Sequence, residues 1–548
     1  MAKPKMPATP AAPQQKSSTN IMLWCVIVIG VALRLFHFFY NRSLWMDEAF
    51  LSISLIKMNF LELASPPLEY EQKAPLGYLW AVKLLLLQFG NGEMALRLFS
   101  LLSGIASLFL FLPVARKYLN NLGAAVALAI LALAPPLVFH AVEAKQYSTE
   151  LFATILALYL YMRYSNRPEL QPLLRFGLWG SLLLWFSYSS IFVLAGIAGS
   201  MCLKFLQQKA WKTMLLHFIP FSMWLASFAI NYFLFTYKHT ESDWLIRWFE
   251  VRSGFMPLLP TSLSDLKWYL QAAYKLLDYP LGLLWNFNLT TSSLLLVLLK
   301  MPLLFFLAMA AGFLSFYKSN KQHLMILVLP LLLTLLASSL KLYPFYERLT
   351  VFLAPLLILL LARGVQTGSS LIPSGYRKWR YSLIALVLAW PVQSSVSQVL
   401  NPALFGGEKK HSFEREALMY INDHFQEGDV AYIYWNIGHT YRYYRDVKGL
   451  DYKVIEGKDL HLASDNIDEY FSKLTPDLHT IGEHKRVWLI KHRRNKVNIG
   501  AYDGQPEWYH KEEAGASIQK VLSAIGNKID AFERPDVRVT LYELSNAE

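Results

Sequence analysis

The stretch that decides the fold runs from Ser43 to Tyr78. It opens with SLWMDEAF (43–50) and closes with EYEQKAPLGY (69–78). Asp47 and Glu48 stand side by side just after an apolar run, and Lys73 follows near Glu71 and before Pro75. Both charge clusters fall between apolar segments of membrane length. A charged side chain at a bilayer centre costs roughly 2.5–3.5 kcal/mol on insertion scales, so ionisable residues in such company are candidates for function.

Composition supports the membrane reading. Hydrophobic residues make up 54% of the 548 and charged residues 17%, against roughly 25% charged in soluble chains. Apolar runs near the ~20 residues that cross a bilayer recur from Ile21 to Leu400. A polytopic α-helical membrane protein follows. The first apolar run has no small-residue cleavage site after it, so it reads as a retained span. The net charge of +13 does not point to nucleic acid. Arg116, Lys117, Arg163, Arg167, Lys204, Lys209, Lys318, Lys321, Arg363, Arg377, Lys378 and Arg380 cluster at every second turn, as the positive-inside rule requires. Cys25 and Cys202 both lie in apolar runs, which supports neither a disulfide framework nor a cysteine metal site. There is no P-loop, GxGxxG, HExxH or GxSxG, and His37, His140 and His217 stand singly. No metal and no cofactor are expected.

The pattern predicts about eleven spans: 21–40, 93–115, 122–139, 147–161, two short spans sharing 173–205 with a polar break at 187–190, then 214–235, 294–316, 324–340, 349–362 and 381–400. The Pro/Ala/Ser-rich tail 1–20 carries Lys3, Lys5 and Lys16 and reads as disordered and cytoplasmic. An odd number of spans puts the C-terminus outside. Residues 21–400 then form the transmembrane domain, with outer loops 41–92 and 237–290. In the second loop Ser262 and Asp265 make a capping-box pattern, followed by Leu263, Leu266, Leu270, Ala273 and Leu277 at helical spacing. That helix lies on the membrane surface or packs on its own protein. Residues 401–548 turn polar. AYIYW, RVWLI and VRVTLYEL read as strands and FEREALMYINDHF as a helix, which predicts a soluble α/β domain outside the membrane.

Each candidate site residue has two readings. Asp47 and Glu48 are a solvated helix start, or a carboxylate kept ionised by helix N–H groups for base or acceptor-orienting work. Lys73 snorkels to the interface, or meets a lipid-linked phosphate that needs more positive charge as it leaves. Glu71 orients Lys73 or is solvated. Lys145 with Tyr147, Lys341, and Arg348 with Tyr343 and Tyr346 recur in other outer turns. Arg348 opens a span from the outer side, against the positive-inside preference, and is therefore an anion-site candidate. Arg97 pairs with Glu93 four residues earlier, or has a functional role.

Trp45–Glu48, Gln72-Lys73-Ala74-Pro75-Leu76-Gly77-Tyr78-Leu79-Trp80, Ala95–Leu98, Glu143–Tyr147 and Tyr343–Arg348, in this order and on one side, resemble the membrane glycosyltransferases of the GT-C fold. The pattern is similar to protein O-mannosyltransferases, the aminoarabinose transferases of lipid A, and bacterial dolichyl-phosphate-mannose-mannosyltransferase-like proteins. The resemblance covers 21–364. It implies transfer of a sugar from a polyprenyl-phosphate-linked donor to a lipid, glycan or protein acceptor at the outer, periplasmic face of a bacterial inner membrane, with inversion by direct displacement. Carried over by position, Asp47 is the catalytic carboxylate, supported by Glu48. Lys73, Lys145 and Arg348 bind the donor phosphate; Glu71, Arg97, Tyr147 and Tyr346 are further candidates. Two departures stand out. Lys145 replaces an arginine common in relatives and lacks its planar fork, and Gln72 separates Glu71 from Lys73. The rival reading is a transporter or flippase of a lipid-linked sugar, which commonly shows internal repeats and charges in broken helices; neither is evident. A non-catalytic subunit is the third reading, and it would tolerate loss of Asp47.

Overall fold

In lipid a segment must satisfy its own backbone polar groups, so apolar runs become helices. The computed structural model describes residues 15–65, 67–237, 243–286, 300–407, 410, 412–494, 506–511 and 513–545. Helix α1 (Gln15–Tyr40) takes in 15–20 of the expected tail, whose residues 1–14 lie outside the described ones.

Of the expected eleven spans, the described helices support eight by length and composition, or nine if one bent pair is a single span. A helix occupies every expected position, but two fall short. Tyr147–Tyr164 forms, yet Glu150, Arg163 and its tyrosines dilute its hydropathy. Leu170–Phe186 is only 17 residues long. The break at 187–190 is real: the next helix starts at Ser190, whose N–H donates to Ser187 Oγ at 3.2 Å. The first residues of the expected 294–316 span lie outside the described ones, and its helix is Pro302–Ser319. The bent pair is Asn121–Leu133 with Pro135–Ala141, turned by 56°. Pro135 and Pro136 lack the N–H groups that would continue the first helix. The bend delivers the turn after Ala141, which carries Glu143 and Lys145, toward the outer loop.

The second outer loop carries helix Leu263–Asp278. Its capping box is formed: Asp265 N–H donates to Ser262 Oγ at 3.2 Å and Ser262 N–H to Asp265 Oδ2 at 2.9 Å. Trp268 and Leu277 point into the protein, whereas Leu263, Leu266 and Leu270 are 77%, 53% and 75% exposed. Among the described residues that leucine stripe is left largely uncovered, and its composition suits a bilayer surface.

The C-terminal region is a five-stranded sheet in the order β2-β1-β3-β5-β4. Strands β1 (Val430–Ile433), β2 (Val454–Glu456) and β3 (Arg486–His492) are parallel; β5 (Val537–Leu544) pairs antiparallel with β3, and β4 (Gly526–Glu533) antiparallel with β5 at the edge. Three of these match the apolar runs of the sequence. β2 and β4 are short or half-exposed and give no such signal. This region shares a core with the first outer loop. Leu44, Leu51, Ile53 and Tyr78 pack in one cluster with Leu418, Tyr441, Tyr444 and Trp488. Leu44 N–H donates to the Tyr444 hydroxyl at 3.0 Å, and the Tyr443 hydroxyl donates to Asn91 O at 2.8 Å.

Candidate active site

Helix α2 (Met46–Lys57) puts Asp47 and Glu48 in its first turn, where neither can share the other's surroundings. Glu48 is fully buried. Its carboxylate accepts from Arg42 Nη1 at 2.7 Å, Arg97 Nε at 2.8 Å, Arg97 Nη2 at 2.9 Å, Ala144 N–H at 2.8 Å and Trp45 N–H at 3.3 Å. Burial pushes its pKa up, but Arg42 and Arg97 outweigh burial and hold it below the ordinary value. With its oxygens so occupied, Glu48 ties α1's outer end, helix Glu93–Tyr118 and the Glu143–Lys145 turn together. Arg97 thus goes to Glu48. The expected Arg97–Glu93 pair is replaced, because Glu93 accepts from Arg415 Nη1 at 2.7 Å.

Asp47 points away from this knot and ion-pairs with Arg348. The Arg348 guanidinium also lies 5.8 Å from the Tyr147 ring centre and 5.9 Å from that of Trp45. Lys145 is buried, and its ammonium donates to Gln72 Oε1 at 2.5 Å. Burial lowers its pKa to about 8; Asp47 opposes that shift and Arg348 adds to it. Asp47, Lys145, Arg348 and Tyr147 therefore share one electrostatic neighbourhood. Glu143 sits beneath them, fully buried, accepting from Trp45 Nε1 at 2.9 Å and bonded to His140 Nδ1 at 2.5 Å. Burial raises its pKa, but His140, Lys410 and Arg42 more than reverse that and keep it ionised.

Lys73 is half-buried, and its backbone oxygen meets Gln146, the residue after Lys145. Burial lowers its pKa and the charge of Glu71 opposes the shift. The backbone of its loop is tied in: Gln146 Nε2 donates to Lys73 O at 3.5 Å and the Tyr188 hydroxyl to Ala74 O at 2.8 Å. Glu71 is exposed. Tyr346 turns elsewhere, against Trp248 and Phe249 with ring centres 6.0 Å away, and Lys341 pairs with Glu250 at 2.6 Å on the surface.

Residues 73–232 match the family model for dolichyl-phosphate-mannose-protein mannosyltransferase. No curated protein matches the sequence. Among solved structures, ArnT from Cupriavidus metallidurans bound to undecaprenyl phosphate aligns over 96% of this chain and 98% of its own, with a TM-score of 0.52 and 11% identity. The same protein in the apo state gives 0.50 and 12% over the same shares. The Archaeoglobus fulgidus oligosaccharyltransferase tethered with an acceptor peptide gives 0.46 and 12%, over 87% of this chain and 69% of its own.

The chain has the GT-C fold.

Several residues of this candidate site carry no sequence signal that singles them out. Gln72 looked like a spacer and is the acceptor for Lys145. Arg42 and Glu143 are visible only as isolated charges until Glu48 and Trp45 bring them together. Lys410 comes from the linker before the C-terminal region, yet its ammonium sits over Phe139 at 4.2 Å and over Trp45 and Tyr279 at 5.5 Å each. No pattern in the linker predicts that placement.

For a metal, the described residues offer one trio, Glu414, His492 and Asp536, with ligand atoms within 4.8 Å of one another. It lies at the ends of β3 and β5, among the C-terminal strands. His492 Nδ1 lies 3.1 Å from Arg494 N and 3.4 Å from Arg494 O, and its Nε2 is 4.0 Å from Glu414.

Proposed function

We propose that the protein is a membrane glycosyltransferase that moves a hexose or pentose from a polyprenyl-phosphate-linked donor to an acceptor hydroxyl at the outer face of a bacterial inner membrane, with its N-terminus cytoplasmic and C-terminus periplasmic. The observation that carries this reading is Asp47 paired with Arg348 beside the buried Lys145 ammonium. One ionised carboxylate among cations is what a displacement at a sugar phosphate requires. The GT-C fold and the mannosyltransferase match over 73–232, which includes Lys73, Arg97 and Lys145, support it. So does the undecaprenyl phosphate bound to ArnT.

In this scheme the acceptor oxygen attacks the anomeric carbon from the face opposite the phosphate. The new C–O bond forms as the bond to the phosphate oxygen breaks, and the configuration inverts. The acceptor proton passes to Asp47. Polyprenyl phosphate leaves with the bonding pair and one more negative charge, which Lys73, Lys145 and Arg348 meet. Such fixed cations act most where water is excluded. When donor phosphate arrives, Arg348 exchanges Asp47 for phosphate and frees the carboxylate for the acceptor. Glu48 holds α2 in place and does not touch substrate.

The test uses purified protein, a labelled polyprenyl-phosphate sugar and a membrane extract as the acceptor source. Asp47→Asn should cut transfer by about 10²–10⁴-fold, the range for loss of a general base, with its melting temperature unchanged. Full activity in that variant sinks the assignment.

A further inference from the structure

Arg34 lies within α1 and is fully buried, so its charge does not snorkel to either membrane surface. An ionisable residue inside a span is costly and calls for a named partner. Among the described residues its partners are backbone carbonyls. Nη1 donates to Ala132 O at 3.0 Å and to Gly30 O, one turn earlier on its own helix, at 2.9 Å; Nη2 donates to Leu131 O at 3.0 Å.

The two carbonyls on the neighbouring helix are those that the chain itself leaves bare. In a continuous helix the oxygens of Leu131 and Ala132 would take the N–H groups of residues 135 and 136. Both are proline and have none. Breaks in a membrane helix are tolerated where neighbouring groups supply the missing bonds. Ile130 O, one position earlier, still receives Ala134 N–H at 2.9 Å. Leu133 O, one position later, loses Leu137 N–H to Ala134 O and accepts from Ser395 Oγ at 3.2 Å instead. The guanidinium fork thus supplies the two donors that the prolines lack, at the negative end of the Asn121–Leu133 helix dipole. Gly30 lets α1 come this close, because a Cβ there would lie 2.9 Å from Ala132 Cβ.

We propose that Arg34 is a positioning residue of the transfer site: by standing in for the missing N–H groups it fixes the 56° bend before Pro135–Ala141, and with it the place of Glu143 and Lys145. Pro135–Ala141 has seven residues. It is a lever of about 10 Å, so a change of about 10° in the bend moves its far end by about 2 Å. A misplacement of about 1 Å can cost about 10²-fold in rate. Beyond that end, Glu143 accepts from Trp45 Nε1 at 2.9 Å, Ala144 N–H donates to Glu48 at 2.8 Å, and the Lys145 ammonium meets Gln72 at 2.5 Å. Arg34 touches none of these groups and acts through the bend. The bearing on donor binding rests on the reading of Lys145 as a donor-phosphate ligand; the fixing of the bend does not.

The experiment uses full-length protein in neutral detergent and reads melting temperature, hydrogen exchange at 142–145, and affinity for a labelled polyprenyl-phosphate sugar at neutral pH. Arg34→Met keeps a long apolar side chain and removes the fork. It should speed exchange at 142–145 about tenfold or more and weaken donor binding about tenfold, the loss of roughly one charge-assisted contact. Arg34→Lys keeps a donor and should recover part of both losses; it carries the test if Arg34→Met does not fold. Adding Pro135→Ala and Pro136→Ala to Arg34→Met gives the bare carbonyls donors from their own helix. That triple variant should regain the melting temperature and keep the fast exchange and weak donor binding, because nothing then sets the bend. If it regains all three, Arg34 only satisfies carbonyls and the proposal falls. If it melts no higher than Arg34→Met, packing alone sets the bend and the proposal falls too. Exchange or donor affinity left at the wild-type level in Arg34→Met likewise overturns it. Asp47→Asn with full transfer would undo the glycosyltransferase reading and leave the exchange results standing.

Discussion

Glu48 accepts hydrogen bonds from Arg42, Arg97, Trp45 and Ala144, while Asp47, one residue earlier, faces Arg348. Adjacent positions on a helix point about 100° apart, so identical chemistry in sequence meets different surroundings. The pair DE was legible as a candidate, with Asp47 favoured by the resemblance; that Glu48 is bound by Arg42 and Arg97 while Asp47 faces Arg348 was not. Lys145 makes a testable case at this scale. Its pKa of about 8 lies below the ordinary lysine value because of burial. Its ammonium is therefore lost as pH rises through about 8. If that charge binds donor phosphate, donor affinity measured from pH ~7 to ~9.5 should fall by up to tenfold per unit above the pKa. Folding stability runs the other way. Between about 8 and 10.5 the folded protein binds fewer protons here than the unfolded chain, so this group favours the fold more as pH rises. A flat donor-affinity profile removes Lys145 from the phosphate site.

Among the elements, apolar length is the readable quantity and close packing is the hidden one. Helices Pro302–Ser319 and Ala354–Leu371 approach so closely that a Cβ on Gly364 would lie 1.7 Å from Ala308 O, and one on Gly312 1.9 Å from Leu360 O. Without a hydrophobic drive between helices in lipid, such small-residue contacts let backbones meet and hold the pair. Gly364→Ala should destabilise the protein by about 1–3 kcal/mol, the usual range for overpacking, seen as a lower melting temperature in detergent. Gly368→Ala is the control, because its Cβ meets only Leu383 Cδ2 at an ordinary 3.7 Å. Equal melting temperatures for the two would show that the contact yields. The break at 187–190 could be read from sequence because serines interrupt an apolar run and charge parity demanded two segments. The exposure of Leu263, Leu266 and Leu270 could not, since a stripe at helical spacing fits either a protein or a bilayer.

Across the whole molecule, the outer loop and the C-terminal strands share a core, so the boundary near 401 is compositional more than mechanical. Arg415 is the main polar link. It donates to Glu93 at 2.7 Å and to Asn41 O at 2.9 Å, and its own N–H donates to Ser43 Oγ at 3.1 Å. Removing one partner of a largely buried ion pair costs up to ~3–5 kcal/mol, less here for Arg415's partial exposure. Arg415→Ala should therefore raise hydrogen exchange in Met46–Lys57 and reduce transfer, although Arg415 touches neither Asp47 nor Lys145. Unchanged protection of that helix would mean that apolar packing alone holds the two parts together.

Hydropathy and the sidedness of basic residues are sums over local sequence. They suffice to read a multi-helix membrane chain, its polar C-terminal α/β region, and the turns between helices that carry Asp47, Lys73, Lys145 and Arg348. Partner choice among charges is not local. Arg97 had Glu93 one turn away on its own helix and bonds instead to Glu48 on another, because packing places Glu48 there and gives Glu93 to Arg415. The same holds for Gln72 under Lys145 and for Lys410 over Trp45. Only the tertiary structure decided that the Ser43–Tyr78 stretch holds one acid as a structural knot and leaves the other facing cations, since in a low-dielectric interior each charge takes whichever partner the packing brings within reach.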